Sequence, residues 1–517
     1  MRYIYGFVLI FTILLWSSCR NDFESVPSSG NLEFSQDTIF LDTIFTNVGS
    51  STRTLKVYNR SSEDINIPNI QLSGGESSSY RLNVDGIPGK IFQDINILAN
   101  DSIFVFIETT IDIDNFPNPD NSYLYEDRIV FDSGTNTQDV NLITLVKDAV
   151  FLFPEQSSDG TVETLNLGTE EEPILIEGFY LNDNQLNFTN EKPYVIYGYA
   201  AVAPNKTLIV EPGARIHFHR DSGILVANTA SMKSIGLASS DSELMENQII
   251  FEGDRLEPSF ADVPGQWGTI WLTAGSTNHE FSYTTIKNSI VGILMDSNDG
   301  DRTLTLKNVE IYNSSNVGLL ARTGDIYGEN LIINNSGQSS LSCSLGGKYN
   351  FIHSTFVNYW TNNFRIFPAV SIDNVLQIGE NEFITSDLIE ANFTNCIVYG
   401  NEARELIFTQ SQEAAFNFNF KNSLIRFDDP NGNFEDDLNY NFLNESLYLN
   451  IVRNQNPSFL NTTLNDFNIE TEVSGADGIG DPSDALTVPL DGNGTSRNVS
   501  APDAGAYESI IYPDEGT

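Results

Sequence analysis

Three side chains that could bind a metal ion or a substrate lie at alternate positions of one short stretch. The segment NKTLIVEPGARIHFHRDSGILVAN (205–228) contains Arg215, His217 and His219. If it forms a strand, the two apolar residues between them point into the core and these three share the outer face. Two histidines at positions i and i+2 of a strand could hold one ion. A solvent-exposed strand face is the simpler interpretation, because no third ligand is near in the sequence.

Two tryptophans could bind a sugar. The stretch PGQWGTIWL (264–272) contains Trp267 and Trp271, and residues at even spacing on a strand face the same side. Aromatic rings stack on the apolar faces of other rings, so both are candidate glycan contacts. Packing in the core or at a sheet edge is the alternative, since large aromatic side chains are mostly buried.

Two acidic loops could hold calcium, which prefers oxygen ligands. They are DSNDGD (296–301) and DDPNGNFEDD (428–437). The candidate ligands are Asp296, Asp299, Asp301, Asp428 and Asp429. Neither loop fits an EF-hand, because Gly300 falls one place early and Phe434 occupies the glycine position of the second loop. Two solvated loops without metal are the alternative, so calcium is a cofactor that the sequence permits but does not require.

The chain lacks the short motifs of common catalytic mechanisms. It contains no nucleophile elbow, no phosphate-binding loop and no His-Glu-x-x-His metal motif. The basic residues that could act on a substrate in its middle part are Lys287, Lys307, Arg322, Lys348 and Arg365. The sequence does not show whether any of them meets an acid.

The elements that must position these residues repeat along the chain. Ile286 and Ile311 are 25 residues apart, and Ile311 and Ile333 are 22 apart. Asn335 and Asn358 follow at 23 residues, and Asn395 and Asn422 at 27. A period in the low twenties indicates a solenoid. The β-branched runs with Asn and Gly at corners predict a single-stranded right-handed parallel β-helix, in which Asn adopts left-handed backbone conformations and stacks from coil to coil.

The first part of the chain alternates with period two. Leu55 and Val57 point one way and Thr54 and Lys56 the other, before a polar turn. Similar runs recur between Gly, Ser, Asn and Asp clusters. This pattern predicts an antiparallel, immunoglobulin-like β-sandwich over 31–148. It carries no catalytic cluster, so we expect a spacer or docking module.

Composition limits the function. The chain has 517 residues, enough for two or three folded units, and 40% of them are hydrophobic. Asp and Glu number 70 against 26 Lys and Arg, which gives a net charge of −44. Nucleic acid binding needs basic patches and is therefore excluded as the main role. Polyanionic glycans would be repelled unless cations intervene. We expect Cys343 and Cys396 to be buried core residues.

The N-terminus, MRYIYGFVLIFTILLWSSC, has the pattern of a secretion signal. One Arg precedes an apolar run from Tyr3 to Trp16, which is shorter than the roughly 20 residues of a membrane span. The Ser-Ser-Cys ending resembles a bacterial lipoprotein signal, in which the thiol of the cysteine, here Cys19, receives the lipid. Trp16 departs from that pattern, which has Leu at this position. Plain secretion is the alternative to a membrane anchor at Cys19.

Three motifs near the C-terminus carry a more specific resemblance. They are an Asn-Pro-x-Phe turn at Asn456 to Phe459, Asp-Gly-x-x-x-x-Arg at Asp491 to Arg497, and Pro-Asp-x-Gly-Ala-Tyr-Glu at Pro502 to Glu508. This ending resembles that of secreted bacterial β-helix proteins of the pectin-lyase-like class. With its N-terminus, the whole chain resembles envelope lipoproteins of the Bacteroidetes type, whose domain order implies no defined activity. We expect the closing motif to cap the open end of the solenoid.

The sequence thus predicts an all-β chain. The expected parts are a signal peptide (1–18), a tether (19–30), the sandwich (31–148), a connector and N-terminal cap (149–200), the right-handed parallel β-helix (201–455), and its C-terminal end and cap (456–517). The expected function is non-catalytic glycan binding or adhesion by an outer-membrane lipoprotein, facing the periplasm or the cell surface. The candidate glycan contacts are Trp267, Trp271, Arg215, His217 and His219.

Two alternatives stay open. The pectin-lyase-like resemblance implies a polysaccharide lyase or glycoside hydrolase acting on a uronic-acid-containing glycan, with Asp clusters, calcium and a Lys or Arg base. A purely structural surface scaffold is the other. An exposed cluster of Asp, Lys and Arg on one sheet would favour the enzyme, and an exposed aromatic strip without titratable neighbours would favour binding.

Overall fold

Strands dominate the protein. The computed structural model describes residues 25–116, 121–241, 244–296 and 302–512. The chain divides into two compact units, with the boundary between Asp148 and Ala149. Within the described ranges the α-helical element is Pro482–Ala485, and no helix there has the length and apolar character of a membrane span. The predicted lipidation site Cys19 and the loop residues Asp299 and Asp301 lie outside these ranges.

The first unit consists of two sheets around one core. The six-stranded sheet has the order Val26–Pro27, Ile65–Leu72, Ser122–Phe131, Gln138–Lys147 and Thr38–Phe45, with Ile91–Ile97 also paired to Ile65–Leu72. The five-stranded sheet has the order Glu33–Phe34, Arg53–Tyr58, Ser102–Thr109, Tyr80–Val84 and Ile87–Gly89. Inward residues of both sheets, such as Val57, Ile67 and Leu142, form a common core, so the alternation predicted from the sequence places the apolar side of each strand inside.

Two pairings of the first unit are parallel, although the sequence pattern suggested an antiparallel arrangement. Thr38–Phe45 pairs in parallel with Gln138–Lys147. Val26–Pro27 pairs in parallel with the edge of Ile65–Leu72. The predicted tether therefore overlaps the folded unit, because Val26 and Pro27 add a short strand to the sheet and Ser28 is buried. A two-residue strand has too little pattern to be recognised in a sequence.

The second unit is a stack of parallel strands in three sheets, in the manner of a β-helix. Sheet 1 consists of Asn187–Phe188, Thr207–Val210, Ser231–Ile235, His279–Lys287, Leu304–Ser314, Asp325–Glu329, Gly347–Ile352, Leu388–Thr394, Asn419–Lys421 and Tyr448–Leu449. Sheet 2 consists of Val150–Leu152, Tyr194–Ile196, Arg215–Phe218, Ile249–Gly253, the second halves of His279–Lys287 and Leu304–Ser314, Ile332–Ser336, Thr355–Asn358, Ile397–Gly400, Leu424–Ile425 and Val452–Arg453. Sheet 3 consists of Thr164–Asn166, Leu175–Tyr180, Tyr199–Val202, Gly223–Val226, Ile270–Leu272, Val291–Asp296, Val317–Arg322, Leu341–Ser344, Val370–Asp373 and Leu406–Thr409.

Shorter elements complete the described chain. Two-stranded sheets are Val375–Gln377 with Phe383–Thr385 and Phe459–Asn461 with Asp466–Ile469. The 3-10 turns are Gly75–Ser77, Ile113–Asn115, Gly134–Asn136, Asp183–Gln185, Pro258–Phe260, Leu438–Tyr440 and Thr462–Leu464.

Apolar residues at equivalent positions of successive coils form the core of the second unit. Ile286, Ile311 and Ile333, whose spacing indicated the repeat, are neighbours in register on sheet 2. Each is fully buried. Each coil buries its inner face only against the coils above and below, which is why the pattern must recur.

Asparagine side chains line two different corners of the stack. Between sheets 2 and 3, Asn313 donates to Asn288 over 3.2 Å and Asn335 donates to Asn313 over 2.6 Å. All three have positive φ values, as the tight corner requires. Asn395 and Asn422, which the sequence placed in the same series, lie instead at the corner between sheets 1 and 2. Both corners need a left-handed residue, so one sequence signature marks two places.

The stack begins earlier than the sequence indicated. Val150–Leu152 already pairs in parallel with Tyr194–Ile196, and Leu175–Tyr180 pairs in parallel with Tyr199–Val202. The segment 149–200, expected to be a connector and cap, therefore supplies strands to all three sheets, including Asn187–Phe188 of sheet 1. Its short strands are interrupted by polar loops, which hid the repeat. The antiparallel strand Thr164–Asn166 pairs with the outermost strand of sheet 3.

The C-terminal end of the stack is extended by aromatic rings. Phe427 and Phe434 each lie 4.8 Å from Tyr440, and Phe442 lies 4.5 Å from Tyr448, measured between ring centroids. These rings join the core of the last coils. The acidic loop 428–437 thus belongs to a segment that packs onto the core at this end.

Candidate functional site

The outer face of sheet 2 is covered over most of its length by the chain's own C-terminal segment (456–512). Its outward residues Tyr312, Ile332, Val357, Ile397, Tyr399 and Leu424 are buried against Phe467, Ile469, Ala504, Ala506 and Tyr507. Tyr507 also donates to Glu310 over 3.1 Å. The segment was expected to cap the open end. It lies along the side instead, because this part of sheet 2 is apolar on both faces.

The signature residues of the C-terminal segment stabilise its own fold and its docking. Arg497 is buried and donates to Asn330 over 2.7 Å and to Glu508 over 3.1 Å. Asp491 accepts the backbone N–H groups of Thr495 and Glu508. The motifs that resemble the pectin-lyase-like class are therefore structural here.

The coils before Glu310 leave a charged strip on the outer face of sheet 2. His217 is the register partner of Glu252, and Lys287 lies one coil further on. The Lys287 ammonium is 2.8 Å from one carboxylate oxygen of Glu252, and the His217 ring nitrogen Nδ1 is 3.7 Å from the other. Arg215 lies beside them on the same strand as His217. We call Arg215, His217, Glu252 and Lys287 the Glu252 cluster.

Two loops flank the Glu252 cluster. Arg215 donates to the backbone oxygens of Leu244, Met245 and Gln248, so its guanidinium holds the chain at 244–248. On the other side, Asn288 donates to the oxygen of Ala261 over 2.9 Å. Arg215 is thus a loop anchor more than a member of an exposed cationic stripe.

The electrostatics of the cluster favour a permanent carboxylate. Burial by itself would raise the pKa of Glu252, but its interactions with His217, Lys287 and Arg215 outweigh burial and lower that pKa below 4.5. Side-chain exposure is 21% for Glu252 and 27% for Lys287, so both groups reach solvent. The cluster presents a fixed acceptor next to fixed donors.

His219 lies at the rim of the same face and has a different partner. Its Nδ1 is 2.7 Å from the carboxylate of Asp254, and its ring stacks on Tyr197 with centroids 4.5 Å apart. The hydrogen bond to Asp254 raises the pKa of His219. The three residues expected on one face are therefore on one side of the sheet, but each has its own protein partner. His217 is only 5% exposed, and its Nδ1 lies 3.2 Å from the backbone oxygen of Gly253, so the predicted glycan contact at His217 is wrong.

The two tryptophans do not share a face. Trp267 is fully buried, with its ring stacked 4.2 Å from that of Phe218, so it is a core residue and the predicted glycan contact is wrong. Trp267 lies outside the strand Ile270–Leu272, with Gly268 and Thr269 between them, so the alternation that the prediction assumed does not extend to it. Trp271 points outward from sheet 3, where its indole N–H donates to Asp296 over 2.6 Å.

Among the described residues of the acidic loops, the carboxylates do not converge as ligands of a calcium ion would. Asp296 also pairs with Arg322 at 2.5 Å, and a cation at this position would compete with the guanidinium. Asp429 accepts the backbone N–H groups of Asn433 and Phe434 and lies 3.6 Å from Arg404. The backbone N–H of Asp428 donates to the backbone oxygen of Ala403 over 2.8 Å. Across the described ranges no group of three His, Cys, Asp or Glu side chains has metal-binding geometry.

Glu252 and Lys287 complete the site, and sequence reasoning largely missed them. Lys287 was one of five basic candidates, and Glu252 was not singled out. They lie 35 and 70 residues after His217, and only the register of the coils brings them together. A Glu between Phe and Gly at the end of an apolar strand, as in IIFEG (249–253), is the available signal.

Comparisons with known proteins give no family. No protein-family model matches the chain, and no curated protein matches it. The catalytic unit of a thermostable GH87 α-1,3-glucanase from Streptomyces thermodiastaticus strain HF3-3 is 10% identical, with a TM-score of 0.26 over 72% of this chain and 79% of that one.

Two other solved structures match shorter parts. A family 123 glycoside hydrolase from Clostridium perfringens is 12% identical, with a TM-score of 0.16 over 23% of this chain and 26% of that one. The E. coli chaperone DraB is 12% identical, with a TM-score of 0.16 over 24% of this chain and 58% of that one. The matched part of this chain therefore spans about a quarter of the hydrolase. At these TM-scores none of the three bears on the function of this protein.

Proposed function

We propose that this protein is a lipid-anchored envelope protein whose β-helix binds a glycan without cleaving it. The observation that carries the proposal is the Glu252 cluster, whose carboxylate and Lys287 ammonium are partly exposed on the outer face of sheet 2, before the coils that the C-terminal segment covers. Sugar hydroxyls both donate and accept hydrogen bonds, so they suit a carboxylate beside an ammonium.

The ionised state of Glu252 favours ligand binding over acid–base catalysis. A general acid needs a pKa near the working pH, and the pKa of Glu252 is lowered. It remains an acceptor at neutral pH. Its ion pair with Lys287 orients both groups before a ligand arrives, which reduces the entropy lost on binding.

A catalytic function has one observation in its favour. Glu252, Lys287 and Arg215 form a cluster of acidic and basic residues on one sheet, which is the arrangement that a polysaccharide lyase or glycoside hydrolase would need. In that alternative Lys287 or His217 would transfer the proton, and Glu252 would orient that side chain.

The remaining parts of the proposal concern architecture and location. We infer an immunoglobulin-like sandwich for the first unit and a right-handed coil for the second. The lipid on Cys19 would anchor the protein in the outer membrane, on its periplasmic or its outer side. Labelling with a fatty acid analogue tests the anchor, since Cys19→Ala should abolish incorporation.

A glycan panel tests the proposed function. The chain from Arg20 onward, which retains every described residue, is incubated with pectins, alginates, glycosaminoglycans and neutral plant and algal glycans, with and without calcium. Retention on glycan-loaded gels is measured together with ultraviolet absorbance of unsaturated ends and release of reducing ends. We expect retention without product.

Matched variants connect the result to the site. Glu252→Gln and Lys287→Met should each weaken retention about tenfold, the effect of one charged hydrogen bond. Lys348→Met is the control, because Lys348 pairs with Glu390 on sheet 1 at 3.6 Å. Product release abolished by Glu252→Gln would establish the enzyme instead, and the absence of both retention and product would favour the structural scaffold.

A further inference from the structure

The outer face of the five-stranded sheet in the first unit exposes aromatic rings. Phe104 and Phe106 are 44% and 40% exposed on the strand Ser102–Thr109. Their rings are nearly parallel, at an interplanar angle of 12° and a centroid distance of 6.1 Å. Tyr58 lies on the adjacent strand, two residues beyond Lys56, the register partner of Phe104. Single exposed apolar residues are common, but an aligned aromatic row on a flat sheet suggests a binding surface.

Cations lie over these rings. The Lys56 ammonium is 4.9 Å from the centroid of Phe104 and 5.6 Å from that of Tyr58. The Arg60 guanidinium is 4.2 Å from the Tyr58 ring and is paired with Glu33. Within the described chain, Lys56 has no carboxylate at ion-pair distance. Its three N–H groups are therefore available to a ligand that stacks on the row.

A polar recess adjoins the row at Phe106. Asn83, the register partner of Phe106, lines a cavity of about 370 Å³ together with Pro88, Arg81 and Glu108. The side-chain oxygen of Asn83 is shielded from solvent and accepts no hydrogen bond within the described chain. Arg81 and Glu108 lie 3.9 Å apart, and Thr52 donates to Glu108. The recess thus combines an apolar wall with an unsatisfied acceptor and a fixed donor–acceptor pair.

We infer that this face is a saccharide-binding site, separate from the Glu252 cluster, and that it takes a neutral linear polysaccharide. Aromatic rings contact the apolar faces of sugar rings, while the recess and Lys56 meet hydroxyl groups. This inference stands whether or not the β-helix binds a glycan, because it rests on other residues in another unit.

Charge selects the neutral ligand. The face carries three cations (Lys56, Arg60 and Arg81) and two carboxylates (Glu33 and Glu108), which leaves one positive charge. The whole chain has a net charge of −44, so a polyanion would be repelled at long range and gain little locally. A neutral polysaccharide is not repelled by the acidic protein and does not depend on a local positive charge.

The test uses the chain from Arg20 onward and gels loaded with β-glucan, xylan, mannan or alginate. At least one neutral polysaccharide should retard the protein. The double variant Phe104→Ala and Phe106→Ala should weaken that retention at least tenfold, and Asn83→Ala about threefold. Replacing both Phe residues by Leu keeps apolar bulk but removes the rings, and it should weaken retention nearly as much as Ala.

Two controls isolate the face. Phe40 is 60% exposed on the other sheet of the same unit, so Phe40→Ala should leave retention unchanged. Lys348→Met should also leave it unchanged, because Lys348 pairs with Glu390 on sheet 1 of the second unit, outside both proposed sites. Circular dichroism and thermal melting verify that each variant is folded.

Several results would overturn the inference. If no neutral polysaccharide is retained, the face does not bind this ligand. The same conclusion follows if retention is unchanged when Phe104 and Phe106 are replaced. Retention of alginate alone, lost in Lys56→Met, would show an anion site instead. A dimer in sedimentation that the Phe variants dissociate would make the face an interface between copies of the chain.

Discussion

Arg365 is buried although its neighbours in sequence are exposed. Phe364 and Ile366 are 87% and 72% exposed, whereas the guanidinium of Arg365 binds the carboxylate of Glu405 through two bonds of 2.9 and 2.7 Å. Glu405 also accepts the N–H of Ala369 over 2.7 Å. Burial raises the pKa of Glu405, and the pairing with Arg365 opposes that rise. This pair fixes the 359–369 loop against the stack.

Removing one partner of the Arg365–Glu405 pair should strongly reduce the stability of the fold. Arg365→Met leaves a buried carboxylate without its counter-ion, and we expect a loss of about 3–5 kcal/mol in the free energy of unfolding. The double variant with Glu405→Met should recover part of that loss. Denaturant unfolding measures both. The exposed pair of Arg60 and Glu33 is the control, since solvent screens it and Arg60→Met should cost far less. Equal costs at the two sites would refute the assignment of Arg365 as an anchor.

His219 should make stability depend on pH in a direction set by Asp254. Because the folded-state pKa of His219 is raised, its ion pair stabilises the protein below the unfolded pKa of about 6.5 and is lost as pH rises through the folded pKa. Asp254→Asn should therefore lower the melting temperature at pH 5.5 more than at pH 9. An equal loss at both values would mean that the hydrogen bond matters and the charge does not.

Two buried histidines provide an internal comparison for the partly exposed His219. Burial lowers the pKa of His279 to about 3 and that of His353 to about 2. In a proton NMR titration their ring signals should stay constant from pH 8 to pH 5, while those of His219 shift. A titration of His353 in this range would contradict its burial beside the C-terminal segment.

At the scale of elements, the repeat was visible in the sequence and the corners were not. The inward column of Ile286, Ile311 and Ile333 follows from hydrophobic spacing, because every coil must bury the same position. The spacing could not tell that Asn395 lies at a different corner from Asn335, because any corner that needs a left-handed residue selects Asn or Gly. Glu252 and Lys287 could not be paired, since loops of different length separate the coils and the register is unknown before folding.

Asn313 should stabilise its corner through both backbone and side chain. It has φ of 56°, donates to Asn288 and accepts from Asn335. Asn313→Ala should cost about 2–4 kcal/mol, from lost hydrogen bonds and left-handed strain, and Asn313→Gly about 1 kcal/mol less because Gly tolerates that conformation. Denaturant unfolding measures the difference.

Asn205 is the control for the ladder. It has φ of 61° and is exposed, so Asn205→Ala should show only the backbone cost of about 1–2 kcal/mol. If Asn313→Ala cost no more than Asn205→Ala, the side-chain ladder would contribute nothing to stability.

At the scale of the whole molecule, the C-terminal segment determines which part of sheet 2 is open. It covers the apolar outward residues from Tyr312 to Leu424 and leaves the charged coils before them accessible. At Gly505 the segment approaches the sheet closely. It has φ of 99°, donates its N–H to Asn395, and a β-carbon there would lie 2.7 Å from Ile397.

Gly505→Ala should therefore detach the segment more readily than a comparable change elsewhere in it. Gly494 is the matched control, because it also has positive φ, at 80°, but open space where a β-carbon would be. Both substitutions impose backbone strain of about 1–2 kcal/mol, and only Gly505→Ala adds a steric clash with the sheet. In limited proteolysis, Gly505→Ala should release fragments ending near residue 455 and bind a hydrophobic dye, while Gly494→Ala should resemble the parent chain. Equal protection of the two variants would mean that the segment docks through Arg497 and Tyr507 and that the approach at Gly505 can relax.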